Sequence, residues 1–179
     1  QVEVKVSKTR EKIEVDVLFV GAGPACLSGA LHLKNLVDSH NQTIAPAEKL
    51  KVSIAIIEKG KEIGAHVLSG AILDPIALRE LIPHYQQLDV PLGPSVSEDL
   101  IYYLTDQKHF RLPLIVPSTS NYGNFIISLN RFVQWLGKQV EARGIDLFTG
   151  FSGTKLLFEG DHLIGVRTGD QGISRDKKV

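Results

Sequence analysis

Gly21-Ala22-Gly23-Pro24-Ala25-Cys26 stands between an apolar, β-branched run, Ile13–Val20, and a stretch whose apolar residues repeat at helical spacing. A glycine turn placed between a strand and a helix directs free backbone N–H groups and the positive end of the helix dipole at one point, where a pyrophosphate is favoured. Gly21 suits the tight turn. Gly23 lets a phosphate approach the backbone with no side chain in the way, and Cys26 takes the third position of the fingerprint, where a small residue lets helix and strand pack closely. A second apolar strand, Val52–Lys59, ends in Glu58. An acid there accepts hydrogen bonds from the two hydroxyls of an adenosine ribose and disfavours a 2′-phosphate. The plainer alternative is a glycine turn that only joins strand to helix, with Glu58 a solvated charge at a strand end. Arg131, near the start of a later helix, is a further candidate for a phosphate contact, because guanidinium groups fork onto phosphate oxygens; a solvated arginine is its alternative.

The elements that must position these residues are legible from periodicity. Strand Ile13–Val20, a helix over Ala25–Val37 ending near Ser39–Asn41, and strand Val52–Lys59 form a βαβ unit whose return loop, Ser39–Lys51, is long and polar. Gly60–Gly70 reads as loop. Asp74 as N-cap and Pro75 at the first helical position open a helix through Leu81. Pro91–Ser97 reads as linker, Leu100–Leu104 and Phe110–Leu114 as strands, and Pro113–Asn124 as irregular. A short strand, Asn124–Ser128, precedes a helix carrying Phe132, Val133, Trp135, Leu136 and Val140, and Gly144 suits the position just past its end. Ile145–Thr149 is a strand, and Thr154–Glu159 with Leu163–Thr168 is a hairpin. The expected class is α/β: a Rossmann-like βαβ unit with a parallel sheet, a β-rich insertion and a β-meander, forming one domain over residues 1–179 with 90–124 as the inserted segment.

Composition narrows the functions. With 43% hydrophobic and 22% charged residues the chain matches a globular domain. Twenty Lys plus Arg against twenty Asp plus Glu leave no net charge, so no global field favours nucleic acid. Cys26 is the one cysteine, which leaves no internal disulfide and no protein-held iron–sulfur cluster within these residues. Metal-ligand spacing is missing around His84, His109 and His162, and Ser69 with His66 lacks a third partner for nucleophilic catalysis, so neither a metal site nor a catalytic residue is expected. Gln1–Glu14 does not read as a signal peptide. A chain that opens on Gln and contains no Met reads as a processed or excised piece. Arg175, Lys177 and Lys178 read as an exposed end.

The segments EKGKEIGAHVLSGAILDP (Glu58–Pro75), NYGNFIISL (Asn121–Leu129) and GDQGISRD (Gly169–Asp176) are more specific than the glycine fingerprint. With them the chain, from Val15 to Asp176, resembles the FAD domain of the electron transfer flavoprotein–ubiquinone oxidoreductase family. The resemblance implies an incomplete FAD domain of the glutathione-reductase-like kind. Gly21, Ala22, Gly23, Pro24, Ala25 and Cys26 would then hold the FAD pyrophosphate, Glu58 the adenosine ribose with Lys59 beside it, and the loop bearing Gly64, Ala65, His66, Ser69 and Gly70 would pack near the flavin.

The same resemblance implies partners and place. Electron transfer flavoprotein would be the donor and ubiquinone the acceptor. The stretch matching His66–Gln87 would meet a membrane surface, at the bacterial inner membrane or the matrix face of the mitochondrial inner membrane. The family's four-iron, four-sulfur cluster, its quinone region and its later FAD-contacting strands would lie beyond Val179, so the chain alone is not expected to complete the transfer. Where the family has Gly, this sequence has Cys26, and the extra bulk is expected to weaken FAD binding; Cys26→Gly is then expected to strengthen it. Another FAD-dependent reductase or dehydrogenase, or a non-catalytic dinucleotide-binding module, would share the βαβ site.

Overall fold

The computed structural model describes residues 10–113 and 120–170. Its first sheet is parallel, in the order β1-β2-β8, from β1 (Val17–Val20), β2 (Ile54–Glu58) and β8 (Asp146–Thr149). Register sets Val20 opposite Ile57 and Glu58 opposite Thr149, so all three strands deliver their carboxyl ends to one edge. Ile54, Ala55, Ile56 and Ile57 are buried, as the central strand of a covered parallel sheet requires. Among the described residues β1 is hydrogen-bonded to a strand on one side only.

Helix α1 (Pro24–Thr43) buries Leu27, Ala30, Leu31 and Val37, one apolar stripe on a helix. It runs past the end expected near Ser39–Asn41. Asn41 there bonds the return loop twice, donating to the Leu50 carbonyl at 2.9 Å and accepting from its N–H at 2.8 Å. Helix α3 (Leu129–Ala142) packs on α1 and buries Phe132, Val133, Trp135, Leu136, Gly137 and Val140. Trp135 satisfies its indole by donating to the Leu88 carbonyl at 2.7 Å, and its ring stacks on Phe132.

Beside this core lies an antiparallel sheet in the order β3-β7-β4, from β3 (Ala71–Leu73), β4 (Leu92–Ser95) and β7 (Phe125–Ile127). Strand β4 replaces most of the expected linker over Pro91–Ser97. Pro94 is tolerated because β4 is an edge of this sheet and its register with β7 is irregular. Strand β3, unforeseen, is three residues long and leads directly into α2 (Pro75–Leu81), capped by Asp74, whose carboxylate accepts from the Ile76 N–H at 2.9 Å. The hairpins β5 (Tyr102–Leu104) with β6 (His109–Arg111), and β9 (Gly153–Glu159) with β10 (His162–Thr168), complete the described fold. Arg175, Lys177, Lys178 and most of the GDQGISRD segment lie outside the described residues, as does part of the stretch expected to be irregular.

Candidate functional site

The glycine turn and the acid converge at the carboxyl edge of the parallel sheet. Gly21 adopts φ +106 and donates its N–H to the Ile57 carbonyl at 2.7 Å, joining the ends of β1 and β2. One Glu58 oxygen accepts from the Ala22 N–H at 2.8 Å; the other accepts from the Gly60 N–H at 2.7 Å. The Glu58 side chain is 14% exposed, and His66 Nδ1 stands 3.9 Å from its carboxylate. Burial raises the Glu58 pKa, but the N–H groups of Ala22 and Gly60 and the charges of His66 and Lys59 together outweigh it, holding the carboxyl below its ordinary range. Lys59 itself is exposed.

The turn also presents an open front. Gly23 is the N-cap of α1 and Pro24 its first residue, with no side-chain cap and no acid in the first turn. The N–H groups of Ala25 and Cys26 therefore lack partners within the helix. A Cβ added at Gly21 or Gly23 meets nothing within 4 Å, so a cradle of backbone donors faces free space. A pyrophosphate fits this donor set.

Cys26 is half-buried, with Sγ 3.7 Å from the Val20 carbonyl. Helix and strand also approach closely one turn further on, where a Cβ at Gly29 would come within 3.1 Å of the Phe19 ring.

A second group gathers at the start of α3. Ser69 Oγ lies 3.3 Å from Ser128 Oγ, and both open on a cleft of about 400 Å³ that Leu92, Gly93, Ile126 and Arg131 also line. Arg131 is exposed at its rim. The loop from Gly64 to Gly70 connects the two groups: His66 faces Glu58, Ser69 faces Ser128, and Gly64, at φ +81, accepts from Asn130 Nδ2 at 2.7 Å. Ala65 and Gly70 are exposed on this loop. Asn130 was not singled out from the sequence, where an Asn in a first helical turn signals no particular partner.

Of the apolar residues expected at a membrane face, Leu68, Ile72 and Ile76 are exposed at 86%, 48% and 58%. Leu78 and Ile82 are instead core. No helix among the described residues is long and apolar enough to cross a membrane, and no three His, Cys, Asp or Glu residues there could hold a metal ion.

No protein-family model matches the chain. The mitochondrial electron transfer flavoprotein-ubiquinone oxidoreductase of Arabidopsis thaliana is 42% identical over 168 residues, covering 93% of this chain and 25% of the relative. The probable electron transfer flavoprotein-ubiquinone oxidoreductase of Acinetobacter baylyi is 41% identical over 171 residues, covering 93% of this chain and 29% of the relative. The chain is homologous to electron transfer flavoprotein–ubiquinone oxidoreductases. It spans between a quarter and a third of the length of these two relatives.

Solved structures share the fold at low identity. A geranylgeranyl bacteriochlorophyll reductase-like protein of Thermoplasma acidophilum matches 86% of this chain and 34% of its own, with a TM-score of 0.59 at 17% identity. The flavin-dependent monooxygenase PieE, solved in complex with FAD and substrate, matches 84% of this chain and 26% of its own, with a TM-score of 0.59 at 17% identity. Together with the parallel sheet they establish the mixed α/β architecture.

Proposed function

We propose that this chain is the N-terminal FAD-binding portion of an electron transfer flavoprotein–ubiquinone oxidoreductase, and that the whole protein passes electrons from electron transfer flavoprotein to ubiquinone. The observation that carries the reading is the uncapped N-terminus of α1 behind the open front of Gly21 and Gly23, with the Glu58 carboxylate at its side. The N–H groups of Gly23, Ala25 and Cys26 bind the pyrophosphate. Glu58 keeps lone pairs for the ribose hydroxyls, since each carboxylate oxygen can accept more than one donor. The loop with Gly64, Ala65, His66, Ser69 and Gly70, together with Arg131, packs near the flavin. FAD, when bound, supplies the reversible uptake of electrons. The iron–sulfur cluster belongs elsewhere in the whole protein, because Cys26 is the sole cysteine here.

Leu68, Ile72 and Ile76 suit a shallow seat at the membrane surface of a bacterium or of the mitochondrial matrix face; Asp74, Arg79 and Glu80 nearby oppose deeper insertion. Residues 90–124 act as an insertion within the one domain.

The test is titration of the purified chain with FAD, followed by calorimetry and by the flavin absorbance band after gel filtration. Retained flavin is expected, and Glu58→Ala should weaken its binding by roughly 1.5–3 kcal/mol, the worth of hydrogen bonds to a charged group. A chain that holds no flavin, or an unchanged affinity in the variant, would overturn this assignment of the site.

A further inference from the structure

Glu58 does more in this structure than wait for a sugar. Both its oxygens are already engaged by backbone donors on two different loops, Ala22 in the glycine turn and Gly60 after β2. Ala22 is 2% exposed, so its N–H has no access to bulk water and needs a partner within the protein. Because the peptide unit is planar and trans, fixing the Ala22 N–H on Glu58 also fixes the direction of the Gly21 carbonyl on the same plane. The Ala22 donor is thereby withdrawn from the ligand side, and the following donors, at Gly23 and the first turn of α1, are left to face it.

The other end of the tie is equally constrained. The Glu58 carbonyl accepts from the Phe151 N–H at 2.8 Å and the Gly60 carbonyl from the Gly150 N–H at 2.7 Å, anchoring this corner to the segment after β8. Gly60 is buried, and a Cβ there would lie 3.2 Å from Glu58 Oε1 and 3.0 Å from the Glu62 carbonyl oxygen. A side chain at this position would press on the carboxylate it bonds, and one of the neighbours would have to give by a few tenths of an ångström.

We infer that Glu58 is a positioning residue for the phosphate-binding turn: it sets the orientation of the Gly21–Gly23 backbone before any ligand arrives, separately from whatever it does for the ribose. The inference rests on the dinucleotide reading above and deepens it. A residue serving only the ribose affects ligands with ribose hydroxyls; a residue that shapes the turn affects every ligand that presents phosphate to it.

The experiment compares the full chain, freed of flavin, with E58Q and G60A by calorimetry against ADP, 2′,3′-dideoxyadenosine diphosphate and inorganic pyrophosphate. E58Q preserves shape but leaves one oxygen for two donors, and G60A keeps the carboxylate while crowding it; far-UV circular dichroism reports that each is folded. Loss of one charge-assisted bond predicts about tenfold weaker binding of all three ligands by E58Q, and G60A should weaken all three in the same way. If E58Q weakened ADP alone and left the dideoxy analogue and pyrophosphate unchanged, Glu58 would be a ribose reader only and the inference would fall while the dinucleotide site stood. Failure of the unaltered chain to bind ADP would instead overturn the dinucleotide reading and the inference together.

Discussion

Asn130 Nδ2 donates to the Gly64 carbonyl at 2.7 Å, tying the first turn of α3 to the loop that runs between the two halves of the site. The bond joins residues 66 positions apart and is partly shielded from water, so it holds the loop where local structure alone would not. Asn130→Ala should cost about 1 kcal/mol, the net worth of one such bond. In a domain of this size that lowers the melting temperature by about 2–4 °C. A thermal scan of the flavin-free chain reads it, and an unchanged midpoint would show that other contacts suffice to place the loop.

Gly21 and Gly23 separate strain from access. A Cβ at either position has room, but Gly21 holds φ +106 whereas Gly23 is at φ −78. Gly21→Ala should destabilise the flavin-free chain by about 1–2 kcal/mol through its backbone conformation. Gly23→Ala should leave that stability nearly unchanged and lower FAD affinity by placing a methyl group where the phosphate approaches. Denaturant titration with parallel calorimetry distinguishes the two, and equal effects on stability would contradict the geometry of the turn.

The depressed pKa of Glu58 makes a stability statement with a definite sign. A carboxyl whose folded pKa lies below its ordinary value of 4.5 stabilises the fold above that value and loses the contribution as pH falls through the folded pKa. Glu58→Gln removes this part of the pH dependence. The stability difference between wild type and variant should be largest near neutral pH and shrink as the solution is acidified below the ordinary carboxyl range. A difference independent of pH from 7 down to 3 would show that the two N–H contacts do not depend on the charge.

Position 26 should tolerate change better than its place in the fingerprint suggests. Helix α1 also approaches β1 closely at Gly29, against the Phe19 ring, which limits how far replacing Cys26 with Gly can draw the helix in. Cys26→Gly should cost only about 0.3 kcal/mol of helix propensity and shift FAD affinity by no more than about twofold. Gly29→Ala is the informative partner: its Cβ would lie 3.1 Å from the Phe19 ring, so either the ring shifts by a few tenths of an ångström or the helix backs away, and a fall in FAD affinity marks the second. If Cys26→Gly strengthened binding tenfold, the crowding would be at Cys26 after all.

The parts legible in the sequence are those governed by local chemistry. The βαβ unit follows from apolar runs on either side of a glycine turn, α2 from Asp74 and Pro75, α3 from its apolar stripe, and the last hairpin from Gly160 and Asp161 in its turn. Strand β4 was hidden because Pro91 and Pro94 speak for a linker, and only pairing with β7, some thirty residues away, makes a strand of it. The candidate site divides the same way. Gly21, Gly23 and Glu58 announce themselves by type and order, but the carboxylate's engagement with Ala22 and Gly60, the Asn130 bond and the tight contact at Gly29 are long-range packing outcomes with no local signature.

The sheet order carries a consequence for handling the protein. Strand β1 is the sequence VLFV and among the described residues pairs on one side only, with Val20 53% exposed and no lysine or proline within it. Such an edge is a template for another chain's strand. Because this strand carries the glycine turn, another chain that paired along β1 would also approach the mouth of the cofactor cradle. Aggregation and loss of flavin should accordingly advance together, and FAD added during purification should act as a solubilising agent as much as a cofactor.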